Sequence, residues 1–194
     1  MRKDTIAAIA TAMSNSGIGI VRISGEESLN IIQKVYKGKT LKDHAIHYGY
    51  IVDGDETIDE VLVMVMKGPH SFTGEDTVEI NCHGGVYVVK RILETVIKAG
   101  ARPAEPGEFT KRAFLNGKID LIQAEAINDM IRATSEEESK LAVLSLKGST
   151  SKMILDVKEK LLQIVSNIEV NIDYPEYDDA EVVTLYNKEQ QIEI

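Results

Sequence analysis

Apolar and polar positions change period partway along the chain, and the change divides it in two. Up to about residue 120, short β-type runs alternate with amphipathic stretches. From Asp120 onward, apolar positions recur at helical spacing almost without interruption. Ile18 to Ile23 (Ile-Gly-Ile-Val-Arg-Ile) predicts a strand entered through Gly17 and stopped by Ser24-Gly25. Those two residues then open a helix with Leu29, Ile32 and Tyr36 on one face and Glu26 and Glu27 in its first turn. Ala45 to Val52 and Ile58 to Met66, either side of Asp53-Gly54-Asp55, predict a hairpin. Thr77 to Cys82 alternates like a half-buried strand. Gly84-Gly85 then break the chain before a helix from Val86 to Lys98, ended by Gly100 as a C′ glycine.

In the second part, Ala124, Ile127 and Ile131 give the apolar stripe of a first helix. A longer stretch from Ser135 to about Ile172 carries Leu141, Leu144, Leu155, Leu162, Val165 and Ile168. Ser135 followed by Glu138 predicts a capping box at its start, and Gly148-Ser-Thr-Ser151 predicts a kink or a division within it. A helix of that length cannot cover its own stripe, so partner helices, another chain or further sequence must do so. Tyr174-Pro-Glu-Tyr-Asp-Asp-Ala-Glu181 predicts a solvated acidic turn. The closing Asn187-Lys-Glu-Gln-Gln-Ile-Glu-Ile194 starts another helical pattern and stops, as a truncated chain would.

Between the two patterns lies the segment with the densest chemistry, Arg102 to Ala126. Two of the four prolines, Pro103 and Pro106, frame a charged loop that feeds an alanine-rich helix. Proline fixes backbone direction, and fixing it where charged side chains converge points to a site.

Composition narrows the field. At 194 residues, 43% hydrophobic and 27% charged, the chain is an ordinary globular one, long enough for one large or two small domains. The single cysteine, Cys82, excludes an internal disulfide and suits a reducing compartment. No apolar run approaches the roughly 18 residues that span a bilayer, and no signal-peptide core opens the sequence. A cytoplasmic protein with no membrane partner is expected. Residues 1–120 carry net charge −1 and residues 121–194 net −8, together the −9 of the chain. Such a balance repels phosphate backbones, leaving only Lys111, Arg112 and Lys118 as a local basic cluster for RNA.

Several chemistries are absent from the pattern. No G-x-x-x-x-G-K-[ST] run is present, so no P-loop nucleotide site is encoded. Gly17-Ile-Gly19 lacks the rest of a dinucleotide fingerprint, and four dispersed histidines with one cysteine make no metal centre. His83, before Gly84-Gly85, is either a ligand contact at a strand end or a histidine bonded to a turn. Arg22, Glu79 and Lys118 form the strongest constellation. Arg22 interrupts an apolar strand, so it must lie at an edge, be paired, or face a ligand. Glu79 points to the sheet face opposite Val78 and Ile80. A carboxylate with two cations suits a ligand having an amide-like donor edge and an anionic tail. The same three would equally form an ion-pair network between strands and loop.

The quoted residues also resemble a known family. Asp4-Thr-Ile-Ala-Ala8, Gly19-Ile-Val-Arg-Ile-Ser-Gly25, Ser71-Phe-Thr-Gly-Glu-Asp76, His83-Gly-Gly85, Pro106 to Lys118 and Asp120 to Ala126 are similar to the MnmE (TrmE) family of tRNA-modification GTPases. The resemblance runs in the family's order along nearly the whole chain. It implies an α+β protein. Residues 1–119 would be an N-terminal α/β domain like the folate-binding aminomethyltransferases, and residues 120–194 the first part of a helical domain. It implies a homodimer through the first domain, with formyl-tetrahydrofolate bound by Arg22, Glu79 and Lys118. It also implies work with the FAD-dependent partner MnmG, adding a carboxymethylaminomethyl or aminomethyl group to the wobble uridine of tRNA. GTP, potassium and magnesium would belong to an inserted GTPase domain that these residues lack, so the chain itself has no catalytic or metal-ligating residue of that chemistry. Two other readings stand beside it: a dimerisation scaffold without folate, and a free-standing aminomethyltransferase-like enzyme.

Overall fold

A computed structural model describes residues 4–173. The acidic turn expected after Tyr174 and the last helical pattern lie outside the described residues. The chain divides into two compact units, one up to Asp120 and one from Leu121. Its class is α+β.

The first unit is built on a seven-stranded mixed sheet. In chain order the strands are β1 (Ile6–Ile9), β2 (Ser16–Ser24), β3 (Tyr36–Gly38), β4 (Ala45–Asp53), β5 (Glu56–Met66), β6 (Thr77–Gly84) and β7 (Arg102–Pro103). Their spatial order is β3-β4-β5-β6-β2-β1-β7, antiparallel except for the β1–β7 pair. Helices α1 (Ser28–Val35), α2 (Val86–Lys98) and α3 (Glu108–Leu115) complete the unit. The hairpin forms as expected, with Asp53 opposite Glu56 across Gly54-Asp55 and Gly54 at φ +63°.

Alternation decides which face of the sheet is covered. Val21, Ile80 and Val63 lie in one cross-strand row, and Ile23, Val78 and Val65 in the next. All six are buried, in one core with Ile31, Ile32 and Val35 of α1 and Val89, Ile92 and Val96 of α2. Each fully buried Val or Ile contributes about 1.5–3 kcal/mol of transfer free energy.

Two local expectations are corrected. Ser24-Gly25 does not open α1. Gly25 sits at φ +136°, where an added Cβ would fall 2.7 Å from the Thr5 Cα, and it turns the chain. The helix starts at Ser28, whose hydroxyl donates to the carbonyls of Gly25 and Asp76, so Glu26 and Glu27 precede its first turn. Tyr36 leaves the helix, pairs with Ile51 and donates its hydroxyl to the Tyr48 carbonyl. Secondly, the proline-framed segment is not all loop. After Pro106, the helix formers Glu108, Lys111, Arg112, Ala113 and Leu115 build α3 (Glu108–Leu115), entered through Gly107 at φ +73°.

The second unit comprises α4 (Leu121–Arg132), α5 (Glu136–Leu146) and α6 (Ser149–Asp173). Ser135 caps α5 by accepting from the Glu138 N–H at 3.2 Å, while the Glu138 carboxylate reaches one residue further back, to the Thr134 N–H at 2.7 Å. Gly148, at φ +79°, divides the long stretch and does not merely kink it. No residue of α6 is buried. No helix among the described residues is long and apolar enough to cross a membrane.

Candidate functional site

The sheet face opposite α1 and α2 carries the candidate residues. Ile46, Met64, Glu79, Arg22 and Ala8 form one cross-strand row, and Tyr48, Leu62, Asn81 and Ile20 the next. The alternation that buries Val21 and Ile80 therefore turns Arg22 and Glu79 outward, directly opposite each other. The Arg22 Nε donates to Glu79 Oε1 at 2.7 Å. Arg22 is thus both paired and on an accessible face, its side chain 30% exposed against 14% for Glu79. Among the described residues, its two terminal NH2 groups and the Glu79 Oε2 have no further hydrogen-bond partner. Each partner of the pair therefore retains hydrogen-bonding capacity for a ligand.

Lys118 is not part of that pair. Its Nζ donates to the Pro69 carbonyl at 2.8 Å, and its stem lies against Gly74, 3.1 Å from where a Cβ would sit. It is joined to the site through the 67–76 loop, which also brings Phe72 to 6.0 Å of the Arg22 Cζ. Phe109 of α3 stands at 5.6 Å from the same atom. Sequence reasoning passed over both rings, although they lie inside the motifs Ser71 to Asp76 and Pro106 to Lys118. The arginine they flank is remote in sequence, and only the fold reveals that.

Loop and helix are fastened beside this pair by a polar network that spacing could not reveal. Ser24 Oγ donates to Glu75 Oε2 at 2.7 Å and lies 2.7 Å from Thr73 Oγ1. With the serine proton on the carboxylate, Thr73 is the donor in the second contact. Arg112, almost fully buried, donates to Glu75 (3.2 Å), to Asp4 Oδ1 (2.9 Å) and to Glu108 Oε1 (3.1 Å). Arg102 binds Glu108 at 2.6 Å and Asp4 at 2.7 Å. Arg102 holds the Glu108 carboxyl down to about 2, helped by the Glu105 N–H and Arg112. Asp4 is lowered as well, mainly by Arg102. This network borders a cleft of about 750 Å³. It also corrects an expectation: Arg112 is committed to three carboxylates, so Lys111, Arg112 and Lys118 do not make a basic patch for RNA.

His83 neither bonds a turn nor lies free. Its Nδ1 is 2.7 Å from Asp59 Oδ1, its backbone N–H donates to Asp59 Oδ2, and the carboxylate raises its pKa. Cys82 is a buried free thiol whose Sγ donates to the Gly19 carbonyl, and burial pushes its pKa up to about 11. No group of three or more potential metal ligands occurs among the described residues.

Comparison with known proteins gives the same two-part division. Residues 5–118 match the family model described as GTP-binding protein TrmE N-terminus, and residues 121–194 that of the MnmE helical domain. A Streptococcus mutans protein named tRNA modification GTPase MnmE is 54% identical over 184 residues, covering 93% of this chain and 40% of that protein. A Bacillus subtilis protein of the same name is 51% identical over 189 residues, covering 93% and 41%. One from Alkaliphilus oremlandii is 53% identical over 199 residues, covering 98% and 43%. The chain spans about two fifths of the length of these curated relatives. With one model over the sheet unit and the other over the helical unit, the chain belongs to the TrmE/MnmE family.

Proposed function

We propose that this chain is the folate-binding N-terminal domain and the first part of the helical domain of a cytoplasmic tRNA-modification GTPase. Residues 1–119 form the folate domain, and residues 120–194 open the helical one. The observation that carries the reading is the Arg22–Glu79 pair on the open sheet face. The carboxylate has a spare oxygen for a donor edge, and the guanidinium has spare NH2 groups for an anionic tail. Lys118, on the segment that packs against the 67–76 loop, adds a second cation. The bound carrier is formyl-tetrahydrofolate, and the chain positions it without reacting. In the whole protein, a GTPase domain using potassium and magnesium, with MnmG as FAD-dependent partner, modifies the wobble uridine of tRNA. The tRNA-modification GTPase activity rests on the family membership and on the relatives' shared name, and potassium, magnesium and MnmG on the resemblance that the sequence carries.

The same face suits a homodimer. Ile46, 64% exposed, continues the row that holds Arg22 and Glu79, and Tyr48 and Leu62, 56% and 46% exposed, lie in the adjacent row. A second copy would cover them by a two-fold contact. The scaffold reading draws on one specific observation, that Arg22 and Glu79 already satisfy part of each other. Calorimetric titration separates the two. Formyl-tetrahydrofolate binds the chain and GTP gives no heat if the folate reading holds. The absence of folate binding overturns it in favour of the scaffold.

A further inference from the structure

We infer that Phe72 and Phe109 form an aromatic wall against which a planar conjugated ring of the ligand stacks, making them determinants of its specificity. This rests on the folate reading of the Arg22–Glu79 site. The chain has only three phenylalanines and no tryptophan, yet two of the three stand within about 6 Å of one guanidinium carbon. They arrive from separate elements, the 67–76 loop and α3. A single exposed phenylalanine needs no explanation, whereas two rings converging on the group proposed to grip a ligand do.

Phe72 is 40% exposed, but its backbone is pinned. The neighbouring Thr73 is fully buried, bonded through its hydroxyl to Ser24, and its carbonyl accepts from Asn116 Nδ2 at 2.7 Å. The ring is thus held toward solvent by a rigid support, as a preformed stacking surface requires. Each ring lies within cation–π range of Arg22 and steadies the guanidinium beside Glu79. A ligand whose donor edge met Glu79 would lie beside the guanidinium that both phenylalanines flank. Offset stacking on them adds affinity that a non-aromatic anion cannot gain, so the site discriminates by ring as well as by charge.

The test compares the full chain with Phe72→Leu, Phe109→Leu and the ring-keeping Phe72→Tyr, titrating each with formyl-tetrahydrofolate. Proton NMR of the bound ligand is recorded alongside melting temperature. The leucine variants should weaken binding roughly tenfold, while Phe72→Tyr stays within about twofold of the original. The C6 and C7 protons of the ligand's reduced pterin, which border the conjugated ring, should move upfield on binding to the original chain, and less so with Phe72→Leu. Unchanged affinity and unchanged ligand shifts in both leucine variants would overturn the wall while leaving the folate site intact. So would an equal loss in Phe72→Tyr. If the original chain binds no folate, the underlying reading falls and this inference with it.

Discussion

Up to Asp120, a sheet and two helices enclose continuous rows of valine and isoleucine, and almost every long aliphatic side chain on the covered face is sealed. From Leu121, α6 runs 25 residues without burying one, although Leu155, Leu162, Val165 and Ile168 recur at helical spacing. Periodicity serves both units equally well in naming elements. It says nothing of whether the matching surface lies within the same unit. The sheet unit carries its own partners in α1 and α2, whereas α6 presents apolar surface that α4 and α5 leave uncovered. Stability and ligand chemistry should therefore reside in the first unit, and the second should tolerate substitutions that would ruin the first.

The largest effect is expected at Arg112. Replacing it with alanine leaves Asp4, Glu75 and Glu108 without their shared cation in a mostly buried setting, and should cost about 3–5 kcal/mol. Denaturant unfolding of the sheet unit measures this. A loss below about 1 kcal/mol would mean the network is ornamental.

The contrast between units is sharpest in a pair of truncations. Ile80→Ala, in the sealed core, should cost about 2–5 kcal/mol. Leu162→Ala, on α6, should change stability by less than about 0.5 kcal/mol. Comparable losses at the two positions would show that α6 is covered in solution, and the comparison would collapse.

A smaller effect is set by acid. Glu108 titrates near 2 in the folded chain against an ordinary 4.5, and Asp4 is also lowered. Depressed carboxyl pKa values contribute stability that is present above about 4.5 and lost as pH falls toward 2. The melting temperature of the sheet unit should decline over that window, and Glu108→Gln should flatten the decline. A profile of equal slope in the variant would detach the effect from Glu108.

Much of this was legible in the sequence, for reasons that differ by element. The hairpin, β2, β6 and α2 follow from alternation and from glycines whose backbone needs are local. The parity of Glu79 against Val78 and Ile80 was enough to put it on the face opposite them, and the apolar run around Arg22 was enough to mark it as at an edge, paired or facing a ligand. Their direct pairing was not legible, because register between β2 and β6 is a long-range property. Start and end of α1 were misjudged because a buried serine and a close approach to Thr5 decide the first, and pairing with Ile51 the second. The five-residue ion network and the two phenylalanines escaped for the same reason: each joins segments tens of residues apart.

The central claim is that the open sheet face binds folate through Glu79, and one measurement addresses it directly. Calorimetric titration of formyl-tetrahydrofolate into the chain and into Glu79→Gln, with melting curves for both, separates binding from folding. Exchanging the carboxylate for an amide keeps the shape and removes a charge-assisted acceptor worth roughly 1.5–3 kcal/mol, so affinity should fall about ten- to a hundredfold. The melting temperature should change little beyond the loss of the half-exposed Arg22 pair. Equal affinity in the two proteins, with the fold intact, would contradict the assignment of Glu79.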